Sequence, residues 1–155
     1  MLITGWRIVK RKFAGSAFDG EGARLYGGRW NSPGVSVVYC SDSIALAILE
    51  VLLHTGQETL LPQYVLFRAE WDDKLMVDLP KKSLPLDWRR FPAPPSCQKL
   101  GDEWVKDIRS VVLRVPSTVH EELHNYLLNP HHADFRKIVI GKKEEIAIDE
   151  RLWKR

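Results

Sequence analysis

The chain has little cysteine: Cys40 and Cys97 are its only two, and they form no CxxC pair. That argues against a disulfide scaffold and against a thiolate zinc site. It has no run of 18 or so apolar residues, the length needed to span a bilayer as a helix. Its first residues, Met1-Leu2-Ile3-Thr4-Gly5-Trp6, lack the basic-then-apolar layout of a secretory signal, so a cytoplasmic protein is expected. No GxGxxG fingerprint and no phosphate loop ending in Lys-Ser or Lys-Thr is present, which speaks against a Rossmann or P-loop site. Strong charge of one sign is missing as well. The net charge is +3, and the basic residues are scattered apart from short groups such as Lys10-Arg11-Lys12 and Arg89-Arg90. This pattern permits an anionic ligand and leaves direct nucleic-acid binding unsupported.

What is present fits one globular domain over 1–155, with 45% hydrophobic and 28% charged residues. Six tryptophans are many for this length, and several are expected in the core or along a cleft. Residues 5–9 read as a first strand with Trp6 and Ile8 on one face and Arg7 on the other. Residues 10–27 carry four glycines and little periodicity, and read as a long loop. A β-branched strand is expected over 35–40, and Ser41, Asp42 and Ser43 offer helix N-caps. The helix then runs from Ile44 to His54-Thr55, with Gly56 at its C-cap. Strands are expected over 64–71 and 75–79. A proline-rich connection over 80–95 packs down through Leu84, Leu86, Trp88 and Phe91, with a helical turn at 87–89. An amphipathic helix over 98–110 places Leu100, Trp104 and Ile108 on one face. A strand over 111–115 stops at Pro116-Ser117, 131–136 forms a helical turn, and 138–140 with 146–148 make a hairpin around Gly141-Lys142-Lys143. Mixed elements without strict βαβ alternation indicate an α+β fold.

One stretch organises the rest. Gly27-Gly28-Arg29-Trp30-Asn31 leads into the strand ending at Tyr39, and the following helix carries Glu50 as its sole charged side chain after Asp42. A carboxylate among Leu49, Val51, Leu52 and Leu53 marks either an exposed helix edge or a group held at a cleft. We read 27–50 as one wall of a nucleotide pocket. A second pattern, His120-Glu121-Glu122-Leu123-His124, matches H-E-x-x-H, which on a helix sets two imidazoles on one face for zinc. Its context is poor. Prolines 116 and 130 crowd it, and Leu127 and Pro130 stand where the longer metzincin pattern needs Gly and His.

The motifs Gly27-Gly28-Arg29-Trp30-Asn31, Val37-Val38-Tyr39-Cys40, Ala45-Leu46-Ala47-Ile48-Leu49-Glu50, Val115-Pro116-Ser117, Asn125-Tyr126-Leu127-Leu128-Asn129-Pro130-His131 and Ile148-Asp149-Glu150-Arg151-Leu152-Trp153 resemble, in order and spacing, the RES-domain family. That family is named for an Arg, a Glu and a Ser, which fall here on Arg29, Glu50 and Ser117, with Tyr39 at a further active-site position. The resemblance implies a single RES domain with an ADP-ribosyltransferase-like fold, mainly antiparallel sheets with flanking helices around an NAD cleft. It also implies a toxin of a bacterial toxin–antitoxin pair, bound in a hetero-oligomer by an Xre-like helix-turn-helix antitoxin. Such toxins act on NAD as substrate, with water, phosphate or a protein as acceptor, and no metal is expected. In the family the residues after Ser117 form a loop leading into a strand, which disfavours the zinc pattern.

On that resemblance, Glu50 would stabilise an oxocarbenium-like transition state and Arg29 would orient NAD through its forked donors. Tyr39 would stack on nicotinamide, and Ser117 would give a hydroxyl to ribose, phosphate or Glu50. Trp30 and Asn31 would belong to the pocket wall, Arg7 is a further candidate phosphate contact, and Gly27-Gly28 would give clearance for NAD. Two other readings stand beside this one: a zinc-dependent hydrolase using His120 and His124, and a non-catalytic binding module. An ion pair between Arg29 and Glu50 would explain both residues without any ligand.

Overall fold

The computed structural model describes residues 1–55 and 63–152. Its strands are β1 (Leu2–Lys10), β2 (Val38–Ser41), β3 (Tyr64–Asp72), β4 (Met76–Asp78), β5 (Val112–Pro116), β6 (His124–Leu128), β7 (Val139–Ile140) and β8 (Glu144–Glu145). Its α-helices are α1 (Glu21–Tyr26), α2 (Ile44–Thr55) and α3 (Pro95–Asp107). The strands form one sheet in the order β4-β5-β6-β2-β1-β3-β7, with β8 also on β3. Every pairing is antiparallel except that of β4 with β5. The expected α+β class with a mainly antiparallel sheet and flanking helices is the fold observed.

The mostly antiparallel sheet is curled, and at Gly5 its strand β1 leaves room for packing across it. At Gly5 in β1 an added Cβ would lie 2.6 Å from the Trp71 ring and 3.1 Å from the Cys40 Cβ. Without a side chain there, Trp71 of β3 reaches across β1 to Cys40 of β2. One core cluster accordingly joins Val38, Cys40, Tyr126 and Leu128 to Ala69 and Trp71, with Trp71 edge-on to Tyr126 at 5.0 Å. On the other face Leu113, Val115 and Leu127 meet Trp30, Trp88, Cys97 and Trp104. Strand alternation puts Tyr39, Ser41, Asn125 and Ser117 on this second face. The helix α2 packs against β1 and β2, and its start is capped by Ser43, whose hydroxyl accepts from the Leu46 amide at 3.1 Å.

Several expectations need correction. Residues 10–27 are not a structureless loop: a 3₁₀ helix (Arg11–Ser16) and α1 lie there, both too short to leave a hydrophobic period. Ile108 does not share the buried face of α3. It is the helix's C-cap in the left-handed region, with φ of 51°, and is 61% exposed. In the 80–95 connection Trp88 is buried and Leu84 packs on the core, but Leu86 and Phe91 are exposed. The terminal segment makes no hairpin. Both β7 and β8 pair with β3, at Ala69 and Glu70 and at Leu66 and Val65, and 146–148 is not a strand. The expected cap Gly56 and the motif residue Trp153 lie outside the described residues.

Candidate active site

The segment 27–36 is held from beneath by its own hydrogen bonds and by α3. Gly27, with φ of 72°, ends α1, and the Gly28 amide donates to the Asn31 carbonyl at 2.9 Å. Asn31 is fully buried. Its amide nitrogen donates to the carbonyls of Ala23, Ser32 and Val35, and its oxygen accepts from the Tyr39 hydroxyl at 2.6 Å. That hydroxyl also accepts from the Trp30 amide at 3.2 Å. Burial pushes the Tyr39 phenol well above its usual range, opposed by the Trp30 amide bond. A Cβ at Gly28 would lie 2.6 Å from the Tyr39 hydroxyl oxygen and 2.9 Å from the Asn31 side-chain oxygen, so this glycine makes room for an internal hydrogen bond. Trp30 is buried and stacks on Trp88 at 6.3 Å. From α3, Asp102 accepts from the Ser32 amide at 2.9 Å and hydroxyl at 2.6 Å, and Gln98 donates to the Gly28 carbonyl at 3.1 Å. Trp30 and Asn31 therefore shape the loop from inside; they do not face solvent.

Arg29 is half-buried. Its Nη1 donates to the carbonyls of Trp88 and Arg90, each at 2.8 Å. Between those two residues, Arg89 lies over the Trp88 ring at 5.8 Å and donates to the Thr118 carbonyl at 2.9 Å. Arg29 is thus tied through 88–90 to the residue after Ser117.

Glu50 is the centre of a second group. Its Oε1 accepts from the Ser117 hydroxyl and from the Asn125 amide, each at 2.8 Å. The Ser117 oxygen in turn accepts from the Val119 amide at 3.1 Å, and the Asn125 oxygen accepts from the Ser41 hydroxyl at 3.0 Å. Among the described residues Glu50 Oε2 receives no hydrogen bond, and Glu50 forms no ion pair with Arg29. The Glu and Ser picked out by sequence are in direct contact although 67 residues apart. Neither Ser41, a candidate helix cap in the sequence, nor Asn125, which opens one of the quoted motifs, is among the sequence-predicted site residues.

Arg7 does not join this group. It lies on the opposite sheet face, donating to the carbonyls of Ala17 at 2.6 Å and Tyr39 at 2.9 Å, with its guanidinium over the Phe18 ring. The H-E-x-x-H pattern loses its physical basis: His124 begins β6, and His120 sits in the preceding turn, its Nδ1 accepting from the Glu122 amide at 3.2 Å. Two imidazoles are not presented on one helix face. A cleft of about 570 Å³ near the 88–90 segment is lined by Leu79, Leu84, Trp88, Arg114, Pro116 and His124 among others, but not by Arg29, Glu50 or Ser117.

The RES domain model matches residues 4–149. "Toxin Res" of Yersinia enterocolitica is 37% identical over 148 residues, 95% of this chain and 97% of that one. The "Prs ADP-ribosylating toxin" of a Sphingobium species is 32% identical over 157 residues, covering 98% of each chain. A chain of the M. tuberculosis MbcT-MbcA toxin–antitoxin complex superposes with a TM-score of 0.78 at 20% identity, over 99% of this chain and 87% of that one; this likeness is one of fold. With the family match spanning most of its length and a relative 37% identical over 95% of it, the chain belongs to the RES-domain family.

Proposed function

We propose that residues 1–155 form one RES domain acting in the cytoplasm as the toxin of a bacterial toxin–antitoxin pair, and that it consumes NAD by breaking the bond between nicotinamide and ribose. The observation that carries this reading is Glu50: one carboxylate oxygen is tied down by two donors, and the other receives none among the described residues. Breaking a glycosidic C–N bond leaves positive charge on the ribose ring, and a fixed carboxylate oxygen is the group that stabilises such charge. Nicotinamide departs with the bonding electron pair. The acceptor oxygen, of water, phosphate or a protein, then bonds to the anomeric carbon and gives up its proton. Nicotinamide is a good leaving group, so no strong acid is required.

Arg29 supplies the cation. Its Nη1 is committed to two backbone carbonyls, which fixes the plane of the guanidinium and leaves Nε and Nη2 for the pyrophosphate or ribose. Tyr39, whose hydroxyl is held in the loop, offers its ring as the stacking surface for nicotinamide. The names of the relatives support the toxin assignment, and the complex to which the structural neighbour belongs supports an antitoxin partner, which we take to be an Xre-like helix-turn-helix protein in a hetero-oligomer. The reaction as written uses no metal.

The test is nicotinamide release by the purified chain, with water, phosphate and cell extract each offered as acceptor. Glu50→Gln keeps an oxygen that accepts from Ser117 and Asn125 but removes the charge. It is expected to lower the rate by about 100-fold or more with little change in melting temperature. NAD left intact with every acceptor would overturn the reading.

A further inference from the structure

We infer that Asn125 is a positioning residue for Glu50, with Ser41 fixing the orientation of its amide. This rests on the reading of Glu50 as the carboxylate that meets the reacting ribose. The geometry is a relay across three elements. Ser41 ends β2 and is buried; its hydroxyl donates to Asn125 Oδ1 at 3.0 Å. An asparagine amide has two faces of opposite polarity, one accepting and one donating. With Oδ1 turned to the Ser41 hydroxyl, the NH₂ group faces α2, where Nδ2 donates to Glu50 Oε1 at 2.8 Å; the carboxylate only accepts, so this is the orientation that satisfies both neighbours.

Ser117 donates to the same oxygen from the end of β5, also at 2.8 Å. Two donors from two neighbouring strands converge on one carboxylate oxygen. A single donor would leave the carboxylate free to swing about the hydrogen bond, whereas two fix both its position and its plane. The strand register makes this possible. Ser41 is directly opposite Asn125 in the pairing of β2 with β6, and Asn125 opposes Val115 in the pairing of β6 with β5. The residue that aims Asn125 and the strand that carries Ser117 are therefore its immediate sheet neighbours.

Nicotinamide release by the full chain, read as kcat and KM separately, tests this. Asn125→Leu removes the donor, and Asn125→Asp keeps the shape but sets an acceptor against Glu50. Both are expected to lower kcat by about 10- to 100-fold with KM for NAD within about threefold of wild type. Ser41→Ala is expected to lower kcat by several-fold at most. Adding it to Asn125→Leu is expected to cost nothing further, because its effect acts through Asn125. Unfolding midpoints separate this from a packing role: Asn125→Asp is nearly isosteric, so a lowered midpoint reports the like-charge contact with Glu50, and it is expected to be relieved when Glu50→Gln is added. Unchanged kcat in either Asn125 variant, a loss confined to KM, or additive effects of Ser41→Ala and Asn125→Leu would overturn the inference while the enzyme reading stands. A wild-type chain that releases no nicotinamide removes both.

Discussion

At Gly28 the chain has room for a hydrogen atom and nothing larger, because the Tyr39 hydroxyl and the Asn31 amide meet directly over it. Gly28→Ala is expected to cost about 1–3 kcal/mol, since neither neighbour is a flexible tip that can swing away. Tyr39→Phe is expected to cost about 1–2 kcal/mol by leaving the buried Asn31 oxygen and the Trp30 amide without their partner. The double variant should cost less than the sum, because Phe removes the very oxygen that the new methyl strikes. Urea unfolding of the four proteins measures this, and strict additivity would show that the two residues do not share a site. Sequence could not reveal this reason for the glycine. The Gly27-Gly28 pair signals close approach of something, and a ligand was the natural reading, but the approaching group lies in a strand eleven positions on and bears no local mark. Glu50 was legible, because a single carboxylate in an apolar helix is a local anomaly. Ser117 was found through the family pattern, and Asn125 was not singled out because its role depends on strand register.

Among the elements, α3 shows how closely backbone can pack when sequence allows it. At Gly101 an added Cβ would sit 1.7 Å from the Trp30 carbonyl oxygen, so the helix lies against the backbone of the 27–36 loop and Asp102 grips that loop through Ser32. The same helix ends badly. Ile108 adopts φ of 51°, a conformation that β-branched side chains resist and glycine accepts. Ile108→Gly is expected to stabilise the chain by about 0.5–1 kcal/mol, read as a higher urea midpoint with the same slope; a lower midpoint would mean that the isoleucine's remaining contacts outweigh its strain. Here the period of hydrophobic residues misled. Ile108 is four places past Trp104, so pattern alone assigns it to the buried face, and only the helix's actual end removes it. The last strands were misplaced for a related reason. Two short apolar runs around Gly141 look like hairpin arms, yet β7 and β8 are successive stretches of one edge alongside β3, a choice set by the exposed edge of β3 and not by the turn.

For the molecule as a whole, the curl of the sheet buries Cys40 at the meeting of β1, β2 and β3, and that burial pushes its thiol up to about 12 from an ordinary 9.0, slightly opposed by Arg7. The sign follows from linkage. The unfolded chain loses this proton first, so the stabilisation is complete below about pH 9 and is lost as the pH rises toward about 12. Tyr39 and Tyr126, both raised mainly by burial, act in the same direction above their ordinary value of 10.0. Urea midpoints are therefore expected to fall as the pH rises beyond about 9, and Cys40→Ala should lessen the first part of that fall; a Cys40→Ala curve parallel to wild type would assign the alkaline loss elsewhere.

The strand order has one more consequence, and it concerns time. Glu50 leaves the ribosome long before its two donors, which follow 67 and 75 residues later, and β6 must then insert beside β2 before either can reach it. On the proposed reading, the growing chain carries its reactive carboxylate unaimed over the next 75 of its 155 residues. It becomes capable of spending NAD only when the sheet closes, and so an incomplete toxin is a harmless one.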